Sequence, residues 1–251
     1  NHELRAFAAG FYGNDPAGTL LFWRGWSLHD RQSRFHDELN LPPRPFTAGP
    51  PQEFKPFEET DHRPGVYAGV EWRYARRALV QFARYDNRAD PYSFSDGQWG
   101  WGTDFDHLAV QVDLPAQLGL IVQWMEGDTE WLTAALPNGT RMPISQHVHD
   151  EFESSFVLLT RKRAANQRLS VRYDTFGFER PAAATEFYSD EGEAWTLSYR
   201  LDATERFSGG IEWLRIDSRR DLLPMFYATP AQHTESQVRL QFSYRLTAPA
   251  R

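Results

Sequence analysis

The sequence predicts an all-β fold, an antiparallel transmembrane β-barrel of ten or more strands with short periplasmic turns on one rim and long extracellular loops on the other. The first observation behind it is the stretch Gln237 to Leu246, where Val238, Leu240, Phe242, Tyr244 and Leu246 alternate with Gln237, Arg239, Gln241, Ser243 and Arg245. Period-2 alternation puts the two sets on opposite faces of one strand, and no helix can use it. The second is that the rhythm recurs from Gly65 onward, in segments near the length a tilted strand needs to cross a bilayer. The third is the spacing between segments, short and long in strict alternation, which is how outer-membrane barrels are connected.

Glu3 to Tyr12 reads as a first strand, weakened by Ala8, Ala9 and Gly10. Residues 13–64 read as one long extracellular loop. Within it, Asp15-Pro16 is a helix-start signal, because Asp caps and proline suits the first helical turn, so a short helix is expected over 16–28. The polar, proline-rich remainder is too long for an ordinary connection and belongs with functional or disordered loops. Val66, Ala68, Val70, Trp72 and Tyr74 then alternate with Tyr67, Gly69, Glu71 and Arg73, and a partner strand follows the Ala75–Arg77 turn to about Tyr85. Further strands are expected at 103–114, 119–127, 151–161, 168–177, 194–201 and 207–217, before the closing strand. Tight turns fall near 76, 116, 164 and 204. Long segments fall at 13–64, 86–102, 127–150, 178–192 and 218–234. Ten strands result, an even number that leaves both ends at the short-turn rim.

A chain of 251 residues fits one large all-β domain, taken here as 1–251. With no cysteine, disulfides and thiolate metal sites are excluded. No apolar run approaches the roughly 20 residues of a membrane helix. Nine Trp and ten Tyr suit the aromatic girdles of a membrane barrel, and a net charge of -7 argues against nucleic acid as a partner. The chain opens at Asn1 without Met, so this reading leaves room for upstream strands of a larger barrel. A soluble β-sandwich or β-rich binding protein shares the alternation, but gives no reason for short and long connections to alternate.

If the apolar faces meet lipid, the lumen-lining set is Glu71, Arg73, Gln111, Asp113, Arg172, Asp174, Arg200, Glu212, Arg239 and Arg245, with Glu153, Arg161 and Arg168 assigned to the same face. Such nearly balanced charge forms a plug of ion pairs in a narrow barrel and a wet path in a wider one, with a weak anion preference where it conducts. Trp23, Arg24 and Trp26 are the constriction candidates, should the 16–64 loop fold inward. Loops rich in carboxylates would share divalent ions with lipopolysaccharide phosphates, or stand as a solvated, mutually repelling surface. Asp104-Phe105-Asp106-His107 and His147-Val148-His149-Asp150 have metal-like spacing but not the ligand count of a site. Trp99, Trp101 and Trp131 would stack on sugars or fold the loops onto one another. No G-x-S-x-G elbow or other motif assigns catalytic roles, so no enzyme, cofactor or metal is expected.

At Tyr85–Pro91, Asp96–Trp101 and Glu212–Ser218 the chain resembles uncharacterised porin-like outer-membrane proteins of Gram-negative proteobacteria. That resemblance implies an outer-membrane barrel that passes small polar or anionic solutes. Its closed form would be a structural or adhesive barrel. The last strand is similar to the closing strand of such barrels, which is also their assembly signal, although Thr247 to Arg251 follow it. The implied partners are outer-membrane lipid and lipopolysaccharide, the barrel-assembly machinery through the C-terminal strand, and small polar solutes.

Overall fold

The computed structural model describes residues 1–19, 39–40, 53–55, 57–132, 147–179, 189–221 and 232–246. Ten strands make one sheet: β1 (His2–Phe11), β2 (Gly65–Tyr74), β3 (Ala78–Asp86), β4 (Gly102–Leu114), β5 (Leu118–Leu132), β6 (His147–Ala164), β7 (Gln167–Glu179), β8 (Ser189–Asp202), β9 (Phe207–Asp221) and β10 (Gln232–Tyr244). They lie in chain order, each antiparallel to the next. Among the described residues β1 and β10 are the two edges and do not pair with each other.

The short turns lie where the sequence put them. In the turn from β2 to β3, Arg77 N–H donates to the Tyr74 carbonyl at 2.8 Å, with Ala75 and Arg76 both left-handed. In the turn from β4 to β5, Ala116 and Gln117 repeat that geometry. Two successive left-handed residues form the turn whose twist matches that of the flanking strands. Residues 165–166 and 203–206 make the other two short links. A 3-10 turn at Asp15–Ala17 opens the segment where a helix was expected, and residues 20–28 lie outside the described residues.

Several strands run further toward the loop rim than their alternation indicates. Residues 127–132 and 147–150 belong to β5 and β6 rather than to a loop, and β7, β8, β9 and β10 are extended in the same way. The cause is a reversal of phase partway along β5 to β9, while the loop end of β10 is polar on both faces. In the turn half the first face of the sheet carries the apolar residues, such as Trp195, Leu197 and Tyr199 of β8 or Phe207, Ile211 and Trp213 of β9. In the loop half that face turns polar, with Glu191, Glu193, Arg215 and Asp217, and the apolar residues move to the second face as Ala194, Leu214 and Ile216.

Burial follows the faces closely. The large apolar side chains exposed on the strands belong to the first face, including Val70, Trp72, Phe82, Leu108, Trp124, Val157, Leu159, Leu169, Val171, Leu197 and Ile211, with Tyr67 the exception. The buried residues of the strands belong to the second face, in clusters around Phe176 and Ile216, around Trp101 and Trp131, and around Phe152 and Phe178. Glycines admit this crowding. Gly127 lies opposite both Phe105 and Phe152, and a Cβ there would sit 2.1 Å from the Asp104 carbonyl oxygen. Rings lying over glycine backbone let a sheet bend toward the crowded side.

Candidate functional site

The residues predicted to line a lumen all lie on the second face except Arg245, which follows β10 and donates its N–H to the Arg206 carbonyl at 2.8 Å. Glu153 and Arg161 do not join them. They share the parity of Val157 and Leu159 and stand on the first face, which corrects the assignment made from the sequence. The remaining charges pair mostly along their own strands, two residues apart. Arg73 meets Glu71 at 2.6 Å, Arg172 meets Asp174 through Nε at 2.8 Å, and Arg200 meets Asp202 at 3.1 Å. Arg239 reaches across to Glu212 on the neighbouring strand at 3.8 Å. Pairs along a strand do not bridge the space in front of the sheet. A recess of about 870 Å³ opens at the turn rim, lined by Arg5, Arg73, Arg77, Gln111 and Asp113.

The turn half of the second face is therefore charged and partly open, while its loop half is packed. Phe11, Tyr85 and Phe105 stack in a row at 5.1 and 4.7 Å, and Phe105 meets Phe152 edge-on at 6.3 Å. Trp131 stacks on Trp99 at 4.1 Å and on Trp101 at 5.8 Å. These tryptophans hold loop to sheet, and the buried Trp101 presents no ring face to a sugar.

Three connecting segments converge on this packed end. Segment 13–19 crosses it, with Gly18 so close that a Cβ would meet Thr129 Oγ1 at 2.4 Å and the Trp101 ring at 2.6 Å. Asn14 donates to the Tyr85 hydroxyl at 2.6 Å, and Trp101 N–H donates to the Asp15 carbonyl at 2.9 Å. Segment 57–61 lies beside it. Thr60 donates to Asp15 Oδ2 from its N–H at 2.6 Å and its hydroxyl at 3.1 Å, and Gly13 N–H donates to Glu59 Oε2 at 2.9 Å. Segment 87–101 closes the group: Asp90 N–H donates to Asp61 Oδ2, and the Thr60 and Ser93 hydroxyls bond at 2.6 Å.

The carboxylates of Asp15, Glu59 and Asp61 thus come within 4.8 Å of one another. Burial pushes the Asp15 carboxyl up to about 6; the Thr60 N–H opposes the rise and the charges of Glu59 and Asp61 add to it. Glu59 is held below the ordinary carboxylate range. Burial alone would raise it, but the N–H of Gly13, with those of Asp61 and His62 and the Asp15 side chain, outweighs burial. Ca²⁺ takes six to eight oxygens. Here N–H donors already occupy lone pairs on each of the three carboxylates. The cluster offers one ligand oxygen from each of three carboxylates, fewer oxygens than a Ca²⁺ shell takes.

Sequence reasoning missed this group because Glu59 and Asp61 stand more than forty residues from Asp15, whose proline partner drew attention to helix capping. The constriction candidates Trp23, Arg24 and Trp26 lie outside the described residues.

Above the apolar band, the first face carries a collar of carboxylates. Asp104, Asp106, Glu126, Asp128, Glu151 and Glu153 line a groove of about 740 Å³, with Arg84 bonded to Asp104 and to Asp106. Burial and neighbouring negative charge raise the Asp128 carboxyl, and burial raises Asp104 despite Arg84. At the boundary, Tyr173 donates its hydroxyl to Glu193 at 2.7 Å and Trp213 its indole N–H to Ser236 at 3.0 Å. His107 lies on the opposite face from Asp104 and Asp106, so that sequence cluster forms no shared site. Compared with known proteins, the chain matches no family model, no curated protein and no solved structure.

Proposed function

We propose that the ten-stranded sheet is the wall of a porin-like channel in a bacterial outer membrane, its first face against lipid and its second face toward a path for small polar or anionic solutes. The observation that carries this reading is the band of exposed apolar side chains across the first face, from Leu4 and Trp72 through Trp124 and Leu197 to Phe242. Strands lie about 4.8 Å apart and rise about 3.3 Å per residue, so ten strands with about five to seven apolar-phase residues make a band on the order of 600–850 Å². Soluble monomers rarely expose a contiguous apolar patch above a few hundred Å². Hydrocarbon removes the cost, and those residues plus the turns approach the nine to eleven a tilted membrane strand needs. Tyr173 and Trp213, ring toward the band and polar atom toward the collar, sit as girdle residues do.

In this reading the collar meets lipopolysaccharide and β10 presents the assembly signal. A closed structural barrel is the second reading, favoured by the packing of Trp99, Trp101 and Trp131 at the loop rim. Reconstitution into planar bilayers separates the two. Discrete conductance steps with a weak anion preference in the reversal potential are the result expected of a channel. Detergent-dependent protein with no conductance leaves only the closed barrel. Monodisperse protein in detergent-free buffer overturns both.

A further inference from the structure

We propose that Asp15, Glu59 and Asp61 form an acid-dependent latch, pinning segment 13–19 to segments 57–61 and 87–101 while one proton is shared between carboxyls and loosening it when that proton leaves to solvent. Two independent features of the geometry point to it. The first is convergence: Asp15 is almost completely buried, it sits within 4.8 Å of two further carboxylates, and each of the three belongs to a hydrogen bond between different segments. The second is an orphaned atom. Glu59 Oε1 is enclosed and, among the described residues, meets no donor at hydrogen-bonding geometry, the Gly13 N–H being given to Oε2. A buried acceptor left without a donor is costly, and a proton on Asp15 is the donor that the site lacks. Two carboxylates so close cannot both ionise cheaply, which favours one shared proton.

The charged and titratable groups around Asp15, among the described residues, are few. Glu59 and Asp61 face it from segment 57–61, and the Tyr85 hydroxyl reaches it through Asn14 from β3. Arg63 lies 3.6 Å from Asp61 and 3.1 Å from Asp90, so its charge is directed to the outer carboxylates. Lys55 stands 4.0 Å from Glu58. No described cation contacts Asp15 itself, and the proton is the balancing charge.

The direction with pH follows from Asp15. Its carboxyl binds a proton up to about pH 6 when the latch is closed and only up to its ordinary 3.8 when open. The closed form therefore holds more protons between those values, and its advantage falls as pH rises. The latch is tightest near pH 4, because below that Glu59, held under its ordinary range in the closed form, favours opening as it takes up a proton. The opening equilibrium rises up to tenfold per pH unit from there to about pH 6, to a ceiling of roughly a hundredfold, and is level above. If the sheet is a channel, which is the reading above, acid holds segment 13–19 over its mouth; the latch itself stands whether or not the sheet conducts.

Hydrogen exchange followed by mass spectrometry tests this on the full chain, in EDTA, from pH 4 to 7. Protection factors, corrected for intrinsic exchange, are read over peptides covering 12–19 and 57–63, with β5 as the internal reference. Wild-type protection in the two segments is expected to fall at least tenfold across that range while β5 stays constant. Asp15→Asn supplies an N–H donor at every pH and flattens the profile; Glu59→Gln does the same from the other side. A pH-independent wild type, or both variants keeping the wild-type slope, overturns the latch. If Asp15→Asn does not fold, Glu59→Gln decides alone.

Discussion

Leu197 sits in the middle of the apolar band, 44% exposed, with Val171 beside it on β7 and Trp213 on β9. Leu197→Arg places a guanidinium there without touching a buried residue, so the cost reports the surrounding medium rather than the packing. On a lipid-facing position near mid-depth an arginine costs about 2–4 kcal/mol, a 30- to 900-fold change in the folded-to-unfolded ratio. On a water-facing position a surface substitution stays within about 0.5 kcal/mol. Glu191→Arg is the matched control. It stands on the same face of the same strand, six residues toward the loop rim among carboxylates, and is expected to cost less than about 1 kcal/mol. Urea unfolding in phospholipid vesicles, followed by tryptophan emission, measures both. A Leu197→Arg cost below about 0.5 kcal/mol, or equal to that of Glu191→Arg, refutes the assignment of this face to lipid.

Gly127→Ala brings a Cβ to 2.1 Å from the Asp104 carbonyl oxygen, backbone that cannot step aside, and should destabilise by about 1–3 kcal/mol, whereas Gly119→Ala, with nothing within 4 Å, should be nearly neutral in the same urea titration. Ala75→Asn with Arg76→Gly gives the left-handed pair at the first short turn the residues it favours, and should stabilise by about 1 kcal/mol. Asp174→Ala removes the buried partner of Arg172 and should cost about 1–3 kcal/mol; Arg172→Met in the same chain should restore part of that loss in a double-mutant cycle.

The turn halves of the strands were legible because each face keeps one chemistry there, and the count of ten antiparallel strands follows from it. The loop halves were hidden by the reversal of phase. Residues such as Phe176 and Phe178 still alternate with Thr175 and Gly177, but in the opposite sense to Leu169 and Val171, and the two rhythms cancel when read as one. The carboxyl cluster was illegible for another reason: Asp15, Glu59 and Asp61 are joined mainly by backbone N–H donors, with the Thr60 hydroxyl, from residues that carry no signature in sequence. The charged residues expected on one face share the second face where parity was counted within a strand. They were misread at Glu153 and Arg161, where charge was taken as a proxy for face.

Because the chain has no cysteine, single nitroxide labels can be placed along β8 without background. Electron paramagnetic resonance in lipid vesicles then compares collisions with oxygen, which concentrates in hydrocarbon, and with a water-soluble nickel chelate. Labels at Trp195, Leu197 and Tyr199 should collide with oxygen and be shielded from nickel, while those at Thr196 and Ser198 show less oxygen contact, giving a two-residue oscillation. Equal nickel access at Trp195, Leu197 and Tyr199, with no oscillation, contradicts the account.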